Sequence, residues 1–226
     1  MQAGVSCGTG FLVHIKNPDK NEMEQDKYGL FTCFHVVQNV RKPISKLKDI
    51  KIIFESFTPA KEYFFSEFAK ELKKDEFKIS ENRQIDFFFV ELNEKFVTEM
   101  KESEAFFEKF PQSTREIGKL EEVVIPQYPL KEKCQQVRDC CRGTLQKSEK
   151  GHLLLYVGKT AGGSSGAPIL IEGKNGEDDQ VLAIHRGVSF ESADIKQATF
   201  ISPIIHFIFK GGYPMDFVGV ISVFRF

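Results

Sequence analysis

Thr160-Ala161-Gly162-Gly163-Ser164-Ser165-Gly166-Ala167-Pro168 lies between two solidly apolar runs, residues 153–157 and 168–171. Glycine and serine at this density ordinarily make a linker or a plain turn. A linker, however, is not clamped between two strand-sized apolar segments. In that setting the glycines allow successive N–H groups to point at one spot, while a serine hydroxyl stands clear of the backbone. This is the requirement for an oxyanion hole beside a nucleophile. A serine hydroxyl is inert near neutral pH unless a base takes its proton, so the pattern calls for a histidine and a carboxylate elsewhere in the chain.

Five histidines are available: His14, His35, His152, His185 and His206. Four read as ordinary strand or loop residues. His35 differs, because it ends the apolar run Leu30-Phe31-Thr32-Cys33-Phe34-His35-Val36-Val37, where a strand end can open into a cleft. The carboxylate candidate is Asp86, in Ile85-Asp86-Phe87-Phe88-Phe89-Val90, directly before an apolar strand. An acid beside such a run is rarely left unpaired, and an imidazole N–H is a fitting partner.

Outward from these residues, short apolar runs recur at 10–15, 50–54, 87–92, 123–125, 181–184, 198–201 and 217–224, with β-branched and aromatic side chains throughout. Turn signals separate them: Asn17-Pro18-Asp19, Lys42-Pro43, and Gly173-Lys174-Asn175-Gly176, which reads as a hairpin loop. Two stretches have helical spacing. Residues 60–74 place Phe64, Phe65, Phe68 and Leu72 three and four apart, and residues 96–110 end at Pro111. Residues 207–209, followed by Lys210-Gly211-Gly212, are expected to close the second half of the molecule. Cys140-Cys141 reads as a pair of loop thiols. Many strands and few helices predict an all-β barrel or sandwich, with the polar segment 111–119 joining two halves.

The chain has 226 residues, 41% hydrophobic and 28% charged, with 31 Lys and Arg against 32 Asp and Glu. Such a length buries a real core, and the balanced charge gives no reason to expect nucleic acid as a partner. The apolar runs are far too short to span a membrane, so no membrane association is expected. The five cysteines, Cys7, Cys33, Cys134, Cys140 and Cys141, are odd in number and lack CxxC pairing, which argues against a disulfide framework and a metal centre. They read as reduced thiols of an intracellular protein, cytoplasmic or nuclear. Met1-Gln2-Ala3-Gly4 and the residues after it lack the basic and apolar regions of a signal peptide.

Gly8-Thr9-Gly10-Phe11-Leu12-Val13, Phe31-Thr32-Cys33-Phe34-His35-Val36-Val37, Ile85-Asp86, and Gly163-Ser164-Ser165-Gly166-Ala167-Pro168, taken in order, resemble the landmarks of trypsin-like (chymotrypsin-fold) serine peptidases. The resemblance covers nearly the whole chain, and the intervals from His35 to Asp86 and from Asp86 to Ser165 fall where that family places its triad. It implies two antiparallel six-stranded β-barrels, residues 1–110 and 120–226, joined by 111–119, with a catalytic cleft between them. Ser165 would be the nucleophile, His35 the general base, and Asp86 the group that fixes the histidine tautomer. The N–H groups of Gly163 and Ser165 would form the oxyanion hole, and no cofactor is implied.

Departures from the family's pattern also carry expectations. Ser164 stands where secreted digestive members have an Asp that pairs with a newly cut N-terminus, so control is expected from a fused regulatory domain, a homo-oligomer or ordering of the Gly162-Gly163 loop. Val36 follows His35, so the usual neighbouring disulfide is missing, although Cys7 and Cys33 are candidates to lie close together. Thr160 through Pro168, followed by Leu182-Ala183-Ile184-His185-Arg186-Gly187, is similar to the glutamyl endopeptidase branch and to intracellular trypsin-like domains. By that likeness Thr160 and His185 would line a specificity pocket, Lys159 would add positive charge, and protein or peptide substrates would be cut after acidic residues. The alternative is a catalytically inactive trypsin-fold module that binds peptides.

Overall fold

The computed structural model describes residues 7–17, 25–37, 51–54, 59–70, 78–79, 85–102, 106–110, 122–130, 138–146, 152–173, 179–189 and 192–210. The 111–119 segment, Lys174 to Gly176 of the expected hairpin loop, the 217–224 run, the Pro18-Asp19 and Lys42-Pro43 turns, Leu72 and Cys134 lie outside these residues.

In chain order the first half contains β1 (Phe11–Ile15), β2 (Lys27–Thr32), the helical turn α1 (Phe34–Val37), β3 (Lys51–Phe54), β4 (Lys61–Phe64), the short α2 (Phe65–Phe68), β5 (Lys78–Ile79), β6 (Phe88–Glu91), α3 (Glu94–Lys101) and β7 (Phe106–Phe107). They build a five-stranded sheet in the order β5-β6-β2-β1-β7 and a β3-β4 hairpin. β1 and β2 are antiparallel, with Phe11 opposite Phe31, and β7 adds in parallel to β1. Both faces of this sheet are covered, which is why 87–92 reads as a solid apolar run. Phe11, Val13, Phe31, Phe87 and Phe89 face one core; Leu12, Leu30, Phe88 and Val90 face another, closed by Phe65, Phe68, Phe96 and Met100. Helix α3 starts where Asn93 Oδ1 accepts the Phe96 N–H at 2.8 Å, a conventional N-cap.

The second half contains β8 (Glu122–Gln127), β9 (Asp139–Gln146), β10 (Leu153–Gly158), β11 (Pro168–Ile171), β12 (Gln180–Val188), β13 (Ile195–Phe200) and α4 (Ile201–Lys210). Its six strands close into a barrel in the order β10-β13-β12-β11-β8-β9. Inside lie Val123, Ile125, Leu145, Leu154, Tyr156, Ile169, Leu182, Ala198 and Phe200. The class is all-β with few short helices, a closed six-stranded barrel beside a partial second sheet. No helix among the described residues is long and apolar enough to cross a membrane.

Four local expectations are corrected. Residues 60–74 do not form one helix: 61–64 pair with β3 as strand β4, Tyr63 packing its ring on Phe54 and Phe96, and among the described residues of the stretch 65–68 turn helically. The 96–110 helix begins earlier and stops at Lys101, because Phe106 and Phe107 pair with β1. Cys140 and Cys141 sit in β9, opposite Pro126 and Ile125, rather than in a loop. Residues 207–209 belong to α4, and the barrel closes without them. The spacing explains that helix: Ile201, Ile204 and Ile208 share one buried stripe, and Pro203 falls in the first turn, where a missing N–H costs nothing.

Helix α4 follows the barrel strands but packs its stripe into the core that also holds Phe11, Phe31, Phe87 and Phe89. Ile204→Ala should therefore cost about 2–5 kcal/mol of stability in urea unfolding, whereas Phe64→Ala, at a side chain 54% exposed, should change it by less than about 0.5 kcal/mol.

Candidate active site

His35 emerges on the helical turn α1, one turn beyond the end of β2 rather than as the last strand residue. Its Nδ1 donates to Asp86 Oδ2 at 2.6 Å, and its backbone N–H donates to Asp86 Oδ1 at 3.0 Å. Both carboxylate oxygens are thus committed to one residue, and with Nδ1 occupied, Nε2 is the ring nitrogen left to accept a proton. Asp86 sits just before β6 at φ 39°, a left-handed conformation that Asp tolerates better than most residues. The carbonyl of Ile85 beside it accepts the Thr199 hydroxyl of β13 at 2.5 Å, so the barrel helps set the Asp86 backbone. Burial opposes charge on Asp86, but the His35 side chain, the His35 backbone N–H and the Arg186 cation outweigh it and hold the carboxyl below its usual range. Arg186 Nε lies 3.7 Å from Asp86 Oδ2.

The loop between β10 and β11 carries the two serines in different environments. Ser164 is fully buried, its Oγ accepting the Ala161 N–H at 3.4 Å, which leaves it a structural part. Ser165 is half-exposed, and its hydroxyl donates to the Arg186 carbonyl at 3.3 Å. Gly163 adopts φ +87°, and a Cβ there would meet the Tyr128 carbonyl at 2.9 Å. Of the described residues, none accepts the N–H of Gly163 or of Ser165. The same loop holds its neighbours tightly: Gly163 O accepts the Thr9 hydroxyl at 2.9 Å, and Ser165 O accepts the Thr9 N–H at 2.8 Å.

No protein-family model matches the sequence, and no curated protein matches it. Among solved structures, a Glu endopeptidase in complex with MPD superposes with a TM-score of 0.52 at 14% identity, over 97% of this chain and 98% of that one. A structure from a study of the coupled folding and binding of the disordered Sesbania mosaic virus VPg protein gives 0.51 at 15% identity, over 91% and 84%. The chain has the trypsin-like, chymotrypsin-type serine protease fold.

On this fold the remaining expected residues are distributed unequally. His185, on β12, is 2% exposed, and its Nδ1 is 2.8 Å from the Tyr156 hydroxyl. Burial first, then the Lys196 and His35 charges, push its pKa down to about 4, so it is neutral near pH 7. Thr160 is half-buried, with its hydroxyl against that of Tyr156. Lys159 is exposed, and its carbonyl accepts from Gln127 Nε2 at 3.1 Å. Thr160, Tyr156 and His185 therefore form one connected group, and the Lys159 side chain stays outside it.

Sequence reasoning passed over Tyr156, Arg186 and Lys196. The signal for Lys196 was present: it alternates in phase with Ala198 and Phe200, two inward residues of β13. Arg186 gave none, because its nearness to Asp86 comes from the approach of segments far apart in the chain.

One cluster of metal-type donors converges among the described residues: atoms of Cys33, His35 and Asp86 lie within 4.8 Å of one another. It suits a metal poorly. Burial and the Asp86 charge push the Cys33 thiol pKa well up, so it stays protonated and donates to the His185 carbonyl at 3.1 Å. The His35 and Asp86 atoms are already bonded to each other.

The His185 shift sets a pH dependence. Its folded pKa of about 4 lies below the ordinary value near 6.5, so the unfolded chain binds the extra proton first. Stability from the neutral ring is complete above pH 6.5 and is lost as the pH falls toward 4. Urea unfolding should show the wild type losing up to about 3 kcal/mol relative to His185→Gln between pH 7 and pH 4.

Proposed function

We propose that the protein is a serine endopeptidase that cleaves protein or peptide substrates through an acyl-enzyme, without metal or organic cofactor. The observation that carries the reading is the buried Asp86 carboxylate accepting both the ring Nδ1–H and the backbone N–H of His35. Such a clamp fixes one tautomer and one ring orientation, and leaves Nε2 as the base. In this reading Ser165 Oγ attacks the peptide carbonyl and its proton passes to His35 Nε2. The imidazolium, stabilised by Asp86, then returns the proton to the leaving amine. Water, deprotonated by the same nitrogen, hydrolyses the acyl-serine. Developing negative charge on the carbonyl oxygen would be met by the open N–H groups of Gly163 and Ser165, donors of a kind worth about 3 kcal/mol each to the barrier.

The reading extends to organisation and specificity. Residues 1–110 would supply the base and carboxylate, and residues 120–226 the nucleophile, across the 111–119 link. An acidic residue before the scissile bond is the proposed preference, with Thr160 and His185 at the pocket. The free state of Cys7, Cys33, Cys140 and Cys141 supports a reducing compartment, cytoplasmic or nuclear. Buried Ser164 offers no carboxylate to a newly cut N-terminus, which supports control by a partner, a fused domain or loop ordering instead of proteolytic activation.

A second reading, a silent peptide-binding module, draws on one observation: the Ser165 hydroxyl is directed to the Arg186 carbonyl. Catalytic hydrogen bonds are often loose without substrate, which favours the enzyme. Fluorophosphonate labelling separates the two. The native protein should be labelled and Ser165→Ala should not, with unchanged circular dichroism, and His35→Ala should lower kcat/KM by roughly 10⁴-fold. Labelling that survives Ser165→Ala, or no labelling of the folded protein, would refute the peptidase assignment.

A further inference from the structure

Lys196 is the second residue of β13, with Tyr156 of β10 opposite it on one side and Val188 of β12 on the other. The residue is only 9% exposed. One ammonium hydrogen goes to the Ala193 carbonyl at 2.6 Å. An ammonium has three donors, so two remain, and no carboxylate among the described residues lies within ion-pair distance. A buried cation without a counter-charge is costly and is ordinarily neutralised by a partner.

The neighbours of Lys196 do not supply that charge. The Tyr156 hydroxyl is held by His185, and His185 is neutral. The group lies beside the nucleophile loop, because the His185 carbonyl accepts the Gly166 N–H and its N–H donates to the Ala167 carbonyl, both at 2.8 Å. From that loop the contacts lead through the His185 ring to the Tyr156 hydroxyl, and Tyr156 is the cross-strand neighbour of Lys196. Resting on the peptidase reading for where the substrate chain sits, we infer that Lys196 is the specificity-determining cation, binding the side-chain carboxylate of an acidic residue placed before the scissile bond. Exposed Lys159 does not perform this role. Neutral His185 and the Tyr156 hydroxyl shape the pocket around the carboxylate rather than balance its charge. The ligand in effect completes an ion pair that the fold leaves half made.

The test is made on the Ser165→Ala protein, so that binding is read without turnover and the Lys196 site is judged apart from catalysis. Fluorescein-labelled peptides that span the site and differ at one position, Glu, Gln or Lys, are titrated by anisotropy. The Glu peptide should bind about tenfold or more tighter than its Gln isostere, as a charge-assisted hydrogen bond predicts. Lys196→Met should remove that ratio, Lys196→Arg should keep it, and Lys196→Glu should favour the Lys peptide. Equal binding of the Glu and Gln peptides, a comparison needing no Lys196 variant, overturns the inference. So does a Glu preference that survives Lys196→Met. Failure of serine labelling in the native protein would strike the peptidase reading and leave this binding ratio to be judged independently.

Discussion

Thr9 joins the sheet that carries His35 to the loop that carries Ser165. Its N–H donates to Ser165 O and its hydroxyl to Gly163 O, at 2.8 and 2.9 Å, while its carbonyl accepts the Thr32 hydroxyl at 2.7 Å. The Thr9 Oγ1 also accepts the Tyr128 N–H at 3.1 Å, which ties in the segment after β8. Each bond contributes only about 1 kcal/mol net. Their larger effect is geometric, because a shift between the two halves of the chain would move Ser165 away from the His35-Asp86 pair. Gly166 shows how close the approach is. It stands at φ +93°, and a Cβ there would fall 2.0 Å from the Thr9 carbonyl and 2.2 Å from the Thr32 hydroxyl, so only glycine fits.

Charge is then arranged around this seam in a way that the overall composition conceals. A net charge of -1 describes a balanced surface. Asp86, however, is a carboxylate at 10% side-chain exposure whose desolvation is offset by two His35 hydrogen bonds and by Arg186 nearby. Cys33, which touches the same group, is kept protonated by burial and by that carboxylate, so it adds packing and one weak donor rather than a second negative charge. The site thus holds one anion placed between the His35 imidazole and a guanidinium. That state suits the proposed proton transfer, since the charge that appears on His35 finds its counter-charge already in place.

Where the sequence was legible, one local rule decided the outcome. The runs at 10–15, 87–92 and 153–157 were buried strands because their side chains had no polar alternative, and the serine loop stood out because glycine clusters rarely sit between buried strands. Asp86 was legible for the same reason, as an acid with no solvent beside it. The failures came where two periods fit one string. Phe64, Phe65 and Phe68 fall at helical spacing, so a single helix read across 60–74 merged two elements, 61–64 and 65–68, that tertiary pairing with β3 separates. Residues 207–209 are apolar on consecutive positions, which fits a buried strand as well as a helix with one side on a core, and the choice fell to the Ile201, Ile204 and Ile208 stripe. The β9 strand was missed because its sequence, Asp139-Cys140-Cys141-Arg142-Gly143, is polar; its pairing comes from neighbours on both sides of the barrel rather than from its own propensity.

Arg186 escaped sequence reasoning because its guanidinium meets Asp86 only through the approach of segments distant in the chain. The β12-β13 pairing advances from His185 opposite Ala198 to Gly187 opposite Gln197, so Arg186 is the extra, unmatched residue of a bulge, followed by Gly187 at φ +147°. In an unbroken strand the side chains of 185, 187 and 189 would share one face and 186 the other. Here His185 faces the barrel against Tyr156, and Arg186, on the other side, sends its guanidinium toward Asp86 while its carbonyl accepts from Ser165. Beyond it, Lys196 returns to the barrel side opposite Val188. Without the extra residue Gly187, not Val188, would stand opposite Lys196, and every pair beyond His185 would shift by one. The single β12-β13 pair thus serves both the seam with the first half, through Arg186, and the interior of the second, through His185 and Lys196.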